Sequence, residues 1–428
     1  MPTTQDFMIK TLGECRFDSP LRRGGKRVFV ADDRRIRLED ELGTDAAESE
    51  VLSLEKAGPR ERIFFDPPST TVAVVTCGGL SPGLNNVIRS VYYDLAHNYR
   101  VKRVLGIREG FRGLNPDAGS PPVELDPAFV HDIHNLGGTV LGSSRGGQDP
   151  AVMVDFLQSE EIDVLLCVGG DGTQRGAHGI AEEIERRGLP KAVVGIPKTI
   201  DNDIPYVWMS FGYASAAEVA QQVVKGAHVE ALGAPNGVGL VKVMGRNAGF
   251  IAAGAAVASQ EANFVLVPEV PFPLEGDDGF LTALERRVTE RGHAVVIAAE
   301  GAGQHLFEET GERDASGNVR HVDIGTFLRD RIKEHFEARG LELNLKYIDP
   351  SYVVRSCPAN AWDRILSDRM ARMAVHAGMA GKTDLLIGFH HQSLVHVPIG
   401  TAVAHTRQLD PNSDQWQAVL GCTGQPHW

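Results

Sequence analysis

EIDVLLCVGG at 161–170 runs without a break into DGTQRGAHGIAEEIERRG at 171–188. A short continuous apolar run reads as a strand buried on both faces, and a helical crossover is expected to follow it. The join is two glycines and an aspartate, so the chain turns over a loop with few side chains. The same unit recurs along the chain. TVAVVTC (71–77) runs into GGLSPG and then LNNVIRSVYYDLAHN. KAVVGIP (191–197) runs into KTIDND, and GVGLVKVMG (237–245) into RNAGFIAAGAAVASQ. NFVLVPE (263–269) and HAVVIAAEG (293–301) are further apolar runs. Repeated strand–loop–helix units predict an α/β fold with doubly wound sheets. Ligands of such sheets bind beyond the carboxyl ends of the strands, so the loops just quoted are where chemistry is expected.

A chain of 428 residues suits two or three packed domains. Its 43 basic and 56 acidic residues leave a net charge of −13, which argues against a general nucleic-acid or anionic-membrane binder. Cys15, Cys77, Cys167, Cys357 and Cys422 are far apart and form no CxxC pair, so neither a disulfide scaffold nor a zinc site is expected. MPTTQDFMIK lacks the pattern of a signal peptide, and no apolar run reaches the roughly 18 residues of a membrane helix. A cytoplasmic setting is expected. Residues 1–70 read as an N-terminal extension, with basic LRRGGKR (21–27) as a solvated face and LEDELGTDAAESEVLSLEKAG (38–58) as helix-compatible. Pro67 and Pro68 stop any helix before the first strand.

Gly78, Gly79 and Gly83 let backbone amides approach a ligand just before a helix, an arrangement that favours phosphate. In GGDGT (169–173), Asp171 is either an N-cap or a carboxylate for a divalent cation lying against phosphates. Thr173 can cap the helix or donate to a phosphate. PKTIDND (197–203) carries Asp201 and Asp203 two apart. If extended, it puts both on one face; otherwise it forms an Asx-turn through Asn202. One aspartate can take a proton from an attacking hydroxyl, and Lys198 and Thr199 add donors for phosphate. Arg246 in MGRNAG suits forked recognition of a phosphate or sugar hydroxyls, and Glu269 at another strand end suits sugar hydroxyls. Lys346, Tyr352 and Arg355 share one face only if their segment is irregular or partly helical. HAGMAGKT (376–383) ends like a phosphate loop but follows a helix-like segment, and His131 and His134 have no third ligand nearby. Phosphate-cradling glycines, Asp171, Asp201 and Arg246 together describe phosphoryl transfer to a hydroxyl, a reaction governed by positioning and charge neutralisation.

Ordered motifs extend this pattern over roughly 65–428. They are CGGLSPGLN, EGFRG (109–113), LGSSRGG (141–147), GGDGTQRGA (169–177), PKTIDNDI (197–204), KVMGR (242–246), PE (268–269), EGAG (300–303), YIDPSYVVRS and CTGQP (422–426). Together they resemble the 6-phosphofructokinase family. The resemblance implies two similar α/β lobes with the active site between them, and fructose 6-phosphate phosphorylated at its 1-hydroxyl. It implies Asp201 as catalytic base and Asp171 as the Mg²⁺-side carboxylate. Gly79, Arg145, Gly172 and Thr173 fall at nucleotide positions. Lys198, Thr199, Asp203, Met244, Gly245, Arg246, Glu269, Lys346, Tyr352 and Arg355 fall at sugar-phosphate or catalytic-support positions. Residues 71–213 with 358–385 are expected to form the nucleotide lobe, and 214–357 with 386–428 the sugar-phosphate lobe. A homodimer or homotetramer is expected.

Pyrophosphate-using members of that family typically carry an aspartate where this chain has Gly172, so ATP is the expected donor. Lys198 accompanies pyrophosphate use, although an ATP-using subgroup combines GGDGTQ with PKTIDND. A pyrophosphate-dependent enzyme and a non-catalytic regulatory relative are the alternatives. Two departures stand out. Ala214 and Ser215 replace polar residues the family usually has, which puts the helix start there in question. Gly237 stands where many bacterial members carry an arginine lent across a subunit interface.

Overall fold

The computed structural model describes residues 2–22, 29–39, 52–308 and 321–428. Strands Thr71–Thr76, Val164–Gly169 and Ala192–Pro197 are buried at every position, as their unbroken apolar sequences require. They lie in a nine-stranded sheet with the order Arg35–Arg37, Ser53–Lys56, Ser393–Pro398, Leu385–His390, Ala192–Pro197, Val164–Gly169, Thr71–Thr76, Arg103–Ile107, Val123–Glu124. From Leu385–His390 to Arg103–Ile107 the strands run parallel, and antiparallel strands extend both ends. From Thr71–Thr76 the chain goes to Arg103–Ile107 on one side and later returns to Val164–Gly169 on the other. The strand order therefore reverses there, and the loops 77–83 and 170–173 flank the crevice where such a sheet binds ligands.

This sheet belongs to one unit, Met1–Thr199, Ile204–Gly212 and Cys357–His405. The sequence reading placed 386–428 with the other lobe. Residues up to His405 stay with the first unit because Leu385–His390 and Ser393–Pro398 form an antiparallel pair that widens its sheet. The 38–58 stretch is also not a helix where it is described: Ser53–Lys56 is a strand on Ser393–Pro398, and 40–51 lie outside the described residues. Within LRRGGKR, 23–27 likewise lie outside them.

Burial of Glu55 explains why that strand is held. Its Oε1 lies 2.6 Å from the Arg60 guanidinium, 2.8 Å from Lys382 Nζ and 3.0 Å from His396 Nδ1. Burial alone would raise the Glu55 carboxyl; hydrogen bonds and charge from His396 and Lys382 outweigh it and pull it down to about 2. A folded value below the ordinary 4.5 stabilises the fold above that pH, and the contribution is lost as pH falls from 4.5 toward 2. Glu55→Gln removes the buried anion and leaves the exposed Asp32 carboxylate to pair with Arg60 at 2.7 Å and Lys382 at 2.9 Å. An expected loss of about 1–3 kcal/mol in denaturant unfolding near neutral pH follows. An unchanged unfolding midpoint would contradict this.

The second unit is Ile200–Asp203, Tyr213–Ser356 and Thr406–Trp428. Its four-stranded sheet is parallel throughout, in the order Phe264–Leu266, His293–Ala299, Gly237–Val243, Asn344–Ile348. Helices Tyr213–Leu232 and Phe250–Ser259 pack alanines (Ala216, Ala220, Ala252, Ala256) with Val241 and Val243 on one face. Helices Phe280–Arg291 and Ile324–Ala338 cover Val238 and Leu240 on the other. The helix after Gly237–Val243 and the helix after the neighbouring His293–Ala299 thus take opposite faces. The loops 244–249 and 300–303 flank the crevice so formed.

Candidate active site

In the first unit, the Gly78 amide donates to Ser144 O at 3.2 Å, and Ser143 Oγ donates to Gly78 O at 2.6 Å. LGSSRGG therefore fixes the glycine loop through its serines, a role that its sequence did not reveal. Lys198 is 6% exposed and donates from Nζ to Gly79 O at 2.6 Å. A Cβ placed on Gly78, which has φ +79°, would lie 3.6 Å from Lys198 Nζ and 3.7 Å from Thr173 Oγ1. Glycine backbone, ammonium and hydroxyl converge on one place. Gly169 has no alternative, since an added Cβ would lie 2.2 Å from Thr173 Oγ1. Gly79 and Gly172 differ: a Cβ at either would meet nothing within 4 Å. Packing does not demand glycine at 172.

Helix Asp171–Arg186 starts at Asp171, with Gly170 as N-cap and no side-chain cap. Asp171 is therefore not the capping residue. Its side chain is 48% exposed and pairs with Arg175 Nε at 2.9 Å, while Arg175 also donates to Val403 O at 2.5 Å. A half-exposed carboxylate at an uncapped helix start, beside the Thr173 hydroxyl, fits Mg²⁺ held partly through donor phosphates. No group of three or more His, Cys, Asp or Glu able to hold a metal occurs among the described residues. Arg145 is exposed. The Thr199 amide donates to Ser210 Oγ at 2.9 Å. Lys382 of HAGMAGKT lies 2.9 Å from Asp32 and 2.8 Å from Glu55, which accounts for it as a buried structural cation.

In the second unit, Asp201 and Asp203 do not lie on an extended strand. Residues 200–201 turn, and Asn202 takes φ +58°, a left-handed conformation that asparagine tolerates. Arg246 N–H donates to Asp201 Oδ2 at 3.4 Å, so the 201–203 turn and the MGRNAG loop meet. That loop is tightly constrained. Gly245 has φ +127°, and a Cβ on Gly301 would lie 1.9 Å from Arg246 O. Gly301 of EGAG packs on this loop, and its amide donates to Gly245 O at 2.9 Å, a contact that spacing alone did not single out. Met244 is half-buried beside it.

Glu269 accepts from the Gly249 amide at 2.9 and 3.1 Å and from the Leu409 amide at 2.8 Å. Burial pushes its carboxyl up, and those amides oppose the shift. Its carboxylate anchors the start of helix Phe250–Ser259. Lys346 is exposed on strand Asn344–Ile348. Tyr352 and Arg355 lie on helix Ser351–Ser356, Tyr352 is 74% exposed, and the guanidinium stacks 4.6 Å from its ring. The segment is thus part strand and part helix. Ala214 does not spoil the helix start: Tyr213–Leu232 is helical with Ser215 buried in its first turn. Gly237 has its own reason, because a Cβ there would lie 2.0 Å from Ala231 O.

The sequence model of the family described as “Phosphofructokinase” matches residues 71–378. The chain belongs to the phosphofructokinase family. An “ATP-dependent 6-phosphofructokinase” of Borreliella burgdorferi is 48% identical over 433 residues, covering 98% of this chain and 97% of the relative. One of the same name from Amycolatopsis methanolica is 48% identical over 437 residues, covering 98% and 95%. Among solved structures, a pyrophosphate-dependent phosphofructokinase from Marinobacter aquaeolei has a TM-score of 0.67 at 20% identity, covering 84% of this chain and 92% of that one. At that identity it speaks for the phosphofructokinase fold alone.

Proposed function

We propose that this chain transfers the γ-phosphoryl group of ATP to the 1-hydroxyl of fructose 6-phosphate, giving ADP and fructose 1,6-bisphosphate. The observation that carries the donor is the open space at Gly172, next to Asp171 and Thr173 at an uncapped helix start. A nucleotide needs that room, and packing did not require glycine to provide it. Gly79, Arg145, Gly172 and Thr173 bind the nucleotide. Asp171 holds Mg²⁺, which when bound neutralises charge on the donor phosphates. Asp201 takes the proton of the 1-hydroxyl as general base. Arg246 faces the charge developing on the transferred group, with Lys198, Thr199 and Asp203 in support. Met244, Gly245, Glu269, Lys346, Tyr352 and Arg355 bind the sugar phosphate. The exposed Tyr352 and Arg355 suit a homodimer or homotetramer in which a neighbouring subunit completes the phosphate site.

No helix among the described residues is long and apolar enough to cross a membrane. A cytoplasmic setting fits the scattered cysteines, none of which forms a disulfide among those residues. Isotope placed at the γ-position of ATP is expected at the 1-position of the sugar bisphosphate. Its release only as inorganic phosphate would refute the reading.

A further inference from the structure

Residues 407–409 donate in turn to three loops of the second unit. Arg407 N–H donates to Asp203 O at 2.8 Å, and its guanidinium donates to Asn202 O at 3.3 Å. Gln408 Nε2 donates to Asn247 O at 3.4 Å, and Leu409 N–H to Glu269 Oε1 at 2.8 Å. Leu409 is buried in the same core as Ile200, the residue before Asp201. The Arg407 guanidinium also stacks 4.6 Å from the Phe250 ring, at the first residue of helix Phe250–Ser259. One short segment therefore holds the 201–203 turn, the MGRNAG loop and Glu269.

We propose that 406–409 is a strap that sets the geometry of the catalytic turn, with Arg407 as the positioning residue for Asp201. This inference rests on the reading of Asp201 as general base. Outside support matters for this turn because Asn202 sits in a left-handed conformation that asparagine tolerates but that few residues other than glycine adopt. Arg407 supplies it at both carbonyls that follow Asp201, through its backbone to Asp203 and its side chain to Asn202. Stacking on Phe250 fixes the guanidinium itself, since a planar cation over a ring loses little freedom per hydrogen bond. A general base must stay within hydrogen-bond reach of its proton, and a displacement of about 1 Å costs on the order of 10²-fold in rate. Loss of the side chain should therefore appear in turnover rather than in substrate binding.

The test compares Arg407→Met, which keeps the apolar stem, with Arg407→Lys, which keeps the charge but not the fork. Both are assayed in the full chain with Mg²⁺–ATP and fructose 6-phosphate, with folding checked by circular dichroism. Arg407→Met is expected to lose about 10–10²-fold in kcat, with KM for ATP within about threefold. Arg407→Lys is expected to recover part of the loss. Wild-type kcat in the folded variants, or a loss confined to KM, would overturn the proposal. If Arg407→Met does not fold, Arg407→Lys decides alone: reduced kcat supports the strap and unchanged kcat refutes it. An unmodified chain that turns over no fructose 6-phosphate would instead refute the proposed function.

Discussion

Asp201→Asn is expected to lower kcat by about 10²–10⁴-fold while KM for fructose 6-phosphate stays within a few-fold of its starting value. The variant keeps the shape of the site. Its amide oxygen can still accept from Arg246 N–H, as Asp201 Oδ2 does at 3.4 Å, and the left-handed Asn202 that follows is untouched. It loses only the capacity to take a proton. Phosphoryl transfer otherwise depends on positioning and charge, which Arg246 and the donor loops would still supply, so residual turnover above the uncatalysed rate is expected. Steady-state kinetics with saturating ATP decide the matter. Turnover within about threefold of the unmodified enzyme would remove Asp201 from the role of base.

Gly172→Asp is expected to abolish most ATP-dependent activity without unfolding the chain. The fold tolerates it because an added Cβ meets nothing within 4 Å, and an acidic residue in the first turn of helix Asp171–Arg186 favours the helix dipole. The catalytic effect has the opposite sign. On the proposed reading of Asp171 and Gly172, a second carboxylate there would lie against the donor's phosphates. Two like charges about 4–5 Å apart at a surface dielectric repel by about 3–4 kcal/mol, or roughly 10²–10³-fold in kcat/KM. The new side chain would also occupy the room a nucleotide needs. Lys198 stays in place through its bond to Gly79 O, so the smaller pyrophosphate should lose less than ATP. Equal losses with both donors, or an unchanged rate with ATP, would show that position 172 does not select the donor.

The fold was legible wherever a strand is buried on both faces and spells an unbroken apolar run, as in TVAVVT and VLLCVG. It was not legible at the sheet's outer strands. Ser53–Lys56 contains a glutamate whose burial depends on nearby Arg60 and on Lys382 and His396, the last two more than three hundred residues away in sequence. Ser393–Pro398 was not singled out in the sequence, and its antiparallel pairing with Leu385–His390 is what joins it to the first unit's sheet. In the candidate site, strand-end loops put forward Gly79, Asp201 and Arg246 as candidates, because they follow apolar runs where such sheets bind ligands, while Gly172 stood out only through the resemblance to the family. The shape of the 201–203 turn was hidden, since asparagine between two aspartates suits either an extended or a left-handed path. Arg407 was hidden for another reason. It lies outside every strand-end loop, more than two hundred residues from the turn it holds, and a lone arginine near a chain end carries no local signal.

The central claim is that ATP, rather than pyrophosphate, is the donor to fructose 6-phosphate. It is tested most directly by initial rates of the unmodified chain with fructose 6-phosphate and Mg²⁺, with ATP in one reaction and pyrophosphate in the other. Turnover with ATP and none with pyrophosphate is predicted. Turnover with pyrophosphate alone would mean that Lys198 outweighs Gly172, and would contradict the claim.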